Sequence, residues 1–334
     1  MSKKSKSITK KPARFGMETM EKREMMAGDV TASIQSGGHL YIGEAVGNYQ
    51  TANAVQVSQL SNGQIRVQGI TNLDGTVTKV NGAAYKDFTV TGDLQVNLGA
   101  GNDKVVLAGG ANFRNVTLNM DQLGGPADAD QVFVGSIRTT GGMTVRTGAG
   151  NDYVSFYNSS IGNDASDFTS ISTGAGVDSL RVEGWSSFRG GMGVSTYNNV
   201  NENETDYVDM VGAVVYGTLA MNTGAGNDVL NMTGVTMGGN LFLNTGDGAD
   251  TVRLREVQTI DDFYVSLGNG DDNLDLVYCR ADHMQLDGGA GTDKLTRSQD
   301  GPVNSKTEVN FEPSMSFWSA YGSTLTSSKS AMLR

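Results

Sequence analysis

Apolar and polar residues alternate in short segments through most of the chain, and the alternation falls into columns. One column follows a series of Asp residues: Val105/Leu107, Val132/Val134, Val154/Phe156, Leu180/Val182, Val208/Met210, Leu230/Met232, Val252/Leu254 and Leu274/Leu276. A second column precedes them: Leu94/Val96, Met143/Val145, Leu219/Met221, Leu241/Leu243, Phe263/Val265 and Met284/Leu286. Val235, Val257 and Cys279 mark a third. A period of two is typical of β-strands that bury one face.

The alternating segments repeat along the chain. Stretches such as TGAGNDYVSF, TGAGNDVLNM and TGDGADTVRL share the pattern G-x-G-x-D. The Asp residues that end these turns are Asp103, Asp130, Asp152, Asp178, Asp206, Asp228, Asp250, Asp272 and Asp293. Their successive intervals are 27, 22, 26, 28, 22, 22, 22 and 21 residues. A basal period of 22 with occasional insertions predicts an all-β solenoid, a right-handed parallel β-helix with three inward columns per rung.

The repeat divides the chain into four predicted regions. Residues 91–300 carry the β-helix repeats, and residues 29–90 are expected to form an N-terminal cap and the first irregular rungs, with Asn53 in the place of a rung Asp. Residues 301–334 read as a C-terminal cap and a Ser-rich tail, in which Phe311, Phe317 and Trp318 are candidates to cover the last rung or to dock a second chain.

Residues 1–28 differ in composition from the rest. They contain eight Lys and Arg residues against three Glu, and no long apolar run follows them. The segment from Met20 to Asp29 resembles the L-E-x-R-x-L-L-A-G-D leader of exported planctomycete proteins, with Met in each Leu position. The resemblance implies export and an extracellular or cell-surface location. The alternative is a disordered basic tail.

Charge narrows the classes of partner. The formal net charge is −11, and without residues 1–28 the body has 17 basic and 33 acidic side chains, or about −16. An acidic surface repels phosphate backbones and attracts cations, so a nucleic-acid partner is not expected. No apolar stretch is long enough for a transmembrane segment.

The G-x-G-N-D turns resemble half of the RTX nonapeptide, the calcium-binding β-roll repeat. That resemblance implies Ca²⁺ held by turn carbonyls and Asp carboxylates, with these candidate ligands: Asp103, Asp152, Asp228, Asp250, Asp272 and Asp293. Stacked carboxylates would repel one another unless they are neutralised, which favours a cation. The chain departs from the family in having one such turn per 22 residues instead of a nine-residue repeat. In the alternative, Gly supplies positive φ and Asp bonds the turn backbone, with no metal.

Other candidate residues favour structural roles. The outward series Arg181, Asp209, Asn231, Arg253 and Asp275 predicts an opposite-charge ladder, although β-helix enzymes place such groups on a catalytic face. Cys279 lies in a core column, and His39 and His283 belong to no ligand spacing. The aromatic residues Phe133, Tyr153, Tyr207 and Trp185 are expected at the surface, where such rings sometimes stack on sugars.

These features lead to one functional hypothesis and two alternatives. We expect a non-catalytic extracellular structural or adhesive β-helix protein, a component of a cell surface or fibre, with self-association or a surface polysaccharide as the partner. The first alternative is a carbohydrate-active β-helix enzyme of the polysaccharide lyase or glycosidase type. The second is a calcium-binding module without a scaffold role. No Ser-His-Asp signature or phosphate-binding loop occurs in the sequence.

Overall fold

The computed structural model describes residues 28–45, 51–72, 74–120, 127–197, 203–298 and 303–312, and these residues are built from strands and turns. The predicted leader lies outside this set, as do Phe317 and Trp318. Within the described ranges no helix occurs, so none is present there that could span a bilayer. The strands form three sheets, here named A, B and C, of which A and B extend beyond C at both ends.

Sheet A contains 13 strands among the described residues. In spatial order they are Lys79–Val80, Asp29–Gln35, His39–Glu44, Leu94–Asn97, Val116–Asn119, Met143–Ala149, Thr169–Ala175, Met192–Ser195, Leu219–Asn222, Leu241–Asp247, Phe263–Asn269, His283–Asp287 and Ser305–Val309. From His39–Glu44 onward each strand pairs in parallel with the next.

Sheets B and C complete each rung. Sheet B has 12 described strands: Tyr85–Phe88, Ile65–Gly69, Ala54–Gln59, Lys104–Ala108, Gln131–Gly135, Tyr153–Tyr157, Ser179–Glu183, Tyr207–Val211, Val229–Thr233, Thr251–Arg255, Asn273–Val277 and Lys294–Ser298. Sheet C has seven two-residue strands: Asn112–Phe113, Arg138–Thr139, Ser160–Ile161, Ser187–Phe188, Val214–Val215, Thr236–Met237 and Gln258–Thr259. From Leu94 to Thr259 the chain visits A, B and C once per turn, which confirms the parallel β-helix.

The interior is the set of three predicted apolar columns. Leu230 pairs in register with Val208 and Val252, and all three side chains are buried. The third column is likewise buried at Val235, Val257 and Cys279. Since every rung adds similar side chains at the same positions, one continuous hydrophobic core extends along the molecule.

The N-terminal region folds differently from the predicted irregular rungs. Asp29–Gln35 pairs antiparallel with His39–Glu44, and Ala54–Gln59 pairs antiparallel with Ile65–Gly69. Gly37 and Gly38 adopt positive φ of 84° and 77° between the first two strands, which lets the chain reverse in a tight turn. One hairpin therefore lies near the start of each large sheet. Parallel pairing begins at His39–Glu44 in sheet A and at Ala54–Gln59 in sheet B.

At the other end, sheet A extends beyond the predicted limit of the repeats. Ser305–Val309 pairs in parallel with His283–Asp287, although the repeats were expected to end at residue 300. Phe311 is partly buried and packs against the core. The last strand of sheet B is Lys294–Ser298.

Candidate functional site

The nine turn aspartates form one buried column at the corner that leads into sheet B. Each side chain is at most 4% exposed. From Asp103 to Asp272, each of the first eight N–H groups in the column donates to Oδ1 of the Asp in the following rung, at 2.7 to 2.9 Å. Asn53 begins the series, because its N–H donates to Oδ1 of Asp103 at 2.6 Å. We call this series of hydrogen bonds the aspartate ladder.

Burial changes the acid–base chemistry of the ladder. Desolvation is the main cause that raises the pKa of Asp103 to about 9 and that of Asp130 to about 10. It likewise raises the pKa of Asp178 to about 8, of Asp250 to about 7 and of Asp272 to about 6. Backbone N–H groups of Asp152 and Asp228 oppose this effect by donating to Asp178 and Asp250. Several ladder carboxyls are therefore neutral acids at pH 7 by virtue of their surroundings.

The glycines of the G-x-G turn are required by the stacking of rungs. Gly246, Gly248, Gly268 and Gly270 have φ between 100° and 143°, a region that other residues rarely adopt. A Cβ atom at Gly248 would overlap the carbonyl oxygen of Gly226 in the preceding rung, and one at Gly270 would overlap that of Gly248. Only a residue without a side chain allows the turns to lie this close together.

The turn carbonyls are engaged in hydrogen bonds between rungs. Asp247 N–H donates to the Gly224 carbonyl at 3.1 Å, and the Asp247 carbonyl accepts from Gly226 N–H at 2.7 Å. The Asn269 carbonyl accepts from Gly248 N–H at 2.6 Å. These backbone groups thus extend the pairing of sheet A into the turn.

Side chains on both sides of the turn bond to the next rung. Inside, the Thr223 and Thr245 hydroxyls donate to the carbonyls of Thr245 and Leu267, at 3.2 and 2.8 Å. Outside, the Asn227 Oδ1 accepts from Ala249 N–H at 2.7 Å. The same outer bond recurs from Asn102 to Ala129, from Asn151 to Val177 and from Asp271 to Thr292. The residue in the following rung contributes only its backbone N–H, so Ala, Val or Thr can occupy that position.

The six predicted calcium ligands can now be compared with what Ca²⁺ requires, which is six to eight oxygen atoms. Oδ1 of each already accepts a backbone N–H, and the turn carbonyls pair with neighbouring rungs. Among the described residues, none of the nine aspartates belongs to a group of three metal-ligating side chains with ligand atoms within 4.8 Å of one another. The Oδ1 contacts need no metal, whereas Oδ2 of five of the six candidates is buried without a hydrogen-bond partner: Asp103, Asp228, Asp250, Asp272 and Asp293. Calcium binding at these residues stays a prediction.

The outward charges of sheet B form the predicted pair between Arg181 and Asp209, but not the one between Arg253 and Asp275. Arg181 forms an ion pair with Glu183 on its own strand, and its Nε lies 3.9 Å from Asp209 Oδ2. Arg253 and Asp275 are register partners, but it is Arg255 Nη2 that lies 3.5 Å from Asp275 Oδ2. These groups are partly exposed pairs, which contribute little to stability.

The aromatic residues lie at the surface as expected. Phe133 and Tyr153 have ring centroids 5.5 Å apart, with the Lys104 ammonium 5.0 Å from the Phe133 centroid. Tyr207 is half-exposed, and Trp185 is 79% exposed with a φ of 61°. They are spread over one sheet and a corner, so a sugar-stacking role stays a prediction.

Both histidines have aspartate partners that the sequence analysis missed. His39 Nδ1 lies 3.1 Å from Asp93 Oδ2, and Arg114 also pairs with Asp93 at 2.8 Å. His283 Nδ1 lies 2.8 Å from Asp262 Oδ1 and 3.4 Å from Asp282 Oδ2. Asp262 precedes His283 by 21 residues, so the repeat interval could have revealed that pair.

The pair of His283 and Asp262 lies next to a second carboxylate, that of Asp282. In the described part of the chain, Asp262, Asp282 and His283 form the group of acidic and His side chains whose ligand atoms all lie within 4.8 Å of one another.

In comparisons with known proteins, no family model, no curated protein and no solved structure matches the chain.

Proposed function

We propose that the protein is a non-catalytic structural or adhesive rod that works outside the cell or at its surface. The observation that carries the proposal is the aspartate ladder, which continues from Asn53 to Asp293 with one hydrogen bond in every rung. With strands about 4.8 Å apart, the eight steps between Asp103 and Asp293 span about 38 Å.

The chemistry of the repeat supports this proposal because each repeated position bonds the rung below or above it. On the inner side of the turn, Asp and Thr form hydrogen bonds to the neighbouring rung, and on the outer side Asn does the same. Gly allows the backbones of neighbouring turns to approach closely. A repeat that bound a ligand would direct some of its polar groups outward. Here the repeated groups face neighbouring rungs, which suits a molecule whose role depends on its rigid shape.

Location and catalysis are tested separately. Antibody labelling of intact cells of the source organism should detect the protein at the surface, and a signal confined to the cell interior would contradict the extracellular part of the proposal. Incubation of the purified chain with acidic polysaccharides should release no new reducing or unsaturated ends. Release of such ends would favour a carbohydrate-active enzyme instead.

The mechanical part of the proposal predicts shape and adhesion. Negative-stain images should show straight particles of constant width. Wild-type protein should co-sediment with the envelope fraction of the source cells. A variant with a carboxylate in the buried column of sheet B, Leu230→Asp, should disrupt the rungs and lose this binding together with the straight shape. Binding by wild-type protein that is unaffected when the rungs are disrupted would contradict a role that depends on the rod.

A further inference from the structure

Two neighbouring rungs bring three potential metal ligands to one corner of sheet A. Asp262 precedes the strand Phe263–Asn269, and Asp282 and His283 occupy the equivalent place one rung later. His283 Nδ1 lies 2.8 Å from Asp262 Oδ1 and 3.4 Å from Asp282 Oδ2. These atoms therefore face a common point at the surface of the molecule.

Neighbouring side chains hold both carboxylates in place. Tyr264 Oη donates to Asp262 Oδ2 at 2.8 Å, and Asn304 Nδ2 donates to Asp282 Oδ1. Each carboxylate thus has one oxygen bound by a neutral donor, and its other oxygen faces His283. Outer hydrogen bonds of this kind orient the ligands of metal sites.

The separations suit a small divalent transition metal. In a tetrahedral Zn²⁺ site with bonds of about 2.0 Å, adjacent ligand atoms are about 3.3 Å apart. The Nδ1 to Asp282 distance of 3.4 Å already matches, and the Nδ1 to Asp262 distance of 2.8 Å requires a small outward movement of partly exposed side chains. We propose that Asp262, Asp282 and His283 bind a divalent transition-metal ion of the Zn²⁺ class, with water completing the coordination.

The nitrogen ligand separates this site from the predicted calcium positions. Imidazole suits Zn²⁺ and its transition-metal neighbours, whereas Ca²⁺ prefers oxygen ligands alone. A bound ion would join two rungs near the C-terminal end of the described repeats. This role is independent of the proposed structural function. The protein can be a rod without binding a metal, and it can bind a metal at this site without being a structural rod.

The chain provides a matched control because it has only two histidines. His39 contacts the single carboxylate of Asp93, and two Arg114 nitrogens already bond both oxygens of that carboxylate, at 2.8 and 2.9 Å. Calorimetric titration of the full chain with ZnCl₂ should show one site, retained in His39→Gln. His283→Gln and Asp282→Asn should each weaken Zn²⁺ binding by at least about tenfold.

Thermal unfolding supplies a second measurement. Zn²⁺ should raise the melting temperature of the wild type and of His39→Gln, and should have little effect on His283→Gln, because only binding to the folded state stabilises it. Excess Ca²⁺ should not displace Zn²⁺. Failure of the wild type to bind Zn²⁺ at millimolar concentration would overturn the proposal, as would unchanged affinity in His283→Gln or Asp282→Asn.

Discussion

A glycine, an aspartate and an asparagine in the turns of two adjacent rungs perform three different physical tasks. Gly248 allows a backbone conformation with φ of 134° and a contact too close for any Cβ. Asp250 reaches inward to accept a buried N–H, and Asn227 reaches outward to do the same for an exposed one. The motif is therefore explained residue by residue as backbone hydrogen bonding.

The task of Gly248 can be tested by substitution. Gly248→Ala should lower the free energy of unfolding by about 3 kcal/mol or more, because the new Cβ meets the Gly226 carbonyl and the φ is strained. Gly234→Ala is the control, since Gly234 has a φ of 62° with no atom near its Cβ, and Glu256 holds a similar φ of 53° at the corresponding turn. It should cost only about 1 to 2 kcal/mol by urea denaturation, because the φ is unfavourable for Ala but no atom is overlapped. Equal losses in the two variants would contradict the stacking argument.

At the level of strands and turns, the repeat interval and the apolar columns were sufficient to predict the rungs. Val116 and Leu118 pair in register with Leu94 and Val96 and are buried, so they continue the predicted second column, which did not include them. The two N-terminal hairpins escaped prediction because their strands carry the same alternation as parallel rungs. Gly37-Gly38 and Asn62-Gly63 were the signals that could have separated a hairpin from a crossover.

Site prediction depended on a different kind of information. The inward direction of the turn aspartates follows from alternation, because Asp228 lies two residues before the buried Leu230. What the sequence could not supply was the partner of each Oδ1 atom, which is a backbone group in another rung. The cluster at His283 depends in the same way on a contact between rungs, here combined with the two adjacent residues Asp282 and His283.

The ladder as an element predicts a difference between two substitutions at one position. Asp250→Ala removes the acceptor of Asp228 N–H and should cost about 1 to 3 kcal/mol, because that N–H stays buried without a partner. Asp250→Asn keeps an oxygen acceptor in a neutral side chain. The buried Asn53 shows that the column can accommodate an amide. The Asn variant should stay within about 1 kcal/mol of the wild type at pH 5.

The same pair of variants separates the neutral acid from a bound cation. Burial raises the pKa of Asp250 to about 7, so at pH 9 the wild type bears a buried negative charge that Asp250→Asn lacks. Relative to the wild type, Asp250→Asn should therefore gain stability between pH 5 and pH 9 in urea denaturation. If the Asn variant instead loses stability at pH 9 and added Ca²⁺ stabilises only the wild type, the ladder holds calcium.

For the whole molecule, the stability contributed by the buried ladder carboxyls and that contributed by the ion-paired Asp93 change in opposite directions with pH. Arg114 is the main cause that lowers the pKa of Asp93 to about 2, and this kind of stabilisation is lost in acid as the pH falls towards that value. Ladder carboxyls have raised pKa values and so stabilise the fold when they are protonated. Because the ladder extends through the whole solenoid, its contribution grows with the number of rungs.

The balance of these effects predicts an unusually acidic optimum of stability. Unfolded Asp has a pKa of about 3.9, so above about pH 4 the unfolded chain releases protons that the folded ladder still holds. Stability should then decline as the pH rises from about 4 through the folded values, which extend from about 6 at Asp272 to about 10 at Asp130. Melting temperatures measured in chelator from pH 4 to pH 10 should fall steadily. A maximum near neutral pH, or a rise between pH 5 and pH 9, would show that the ladder carboxyls are ionised in the folded protein.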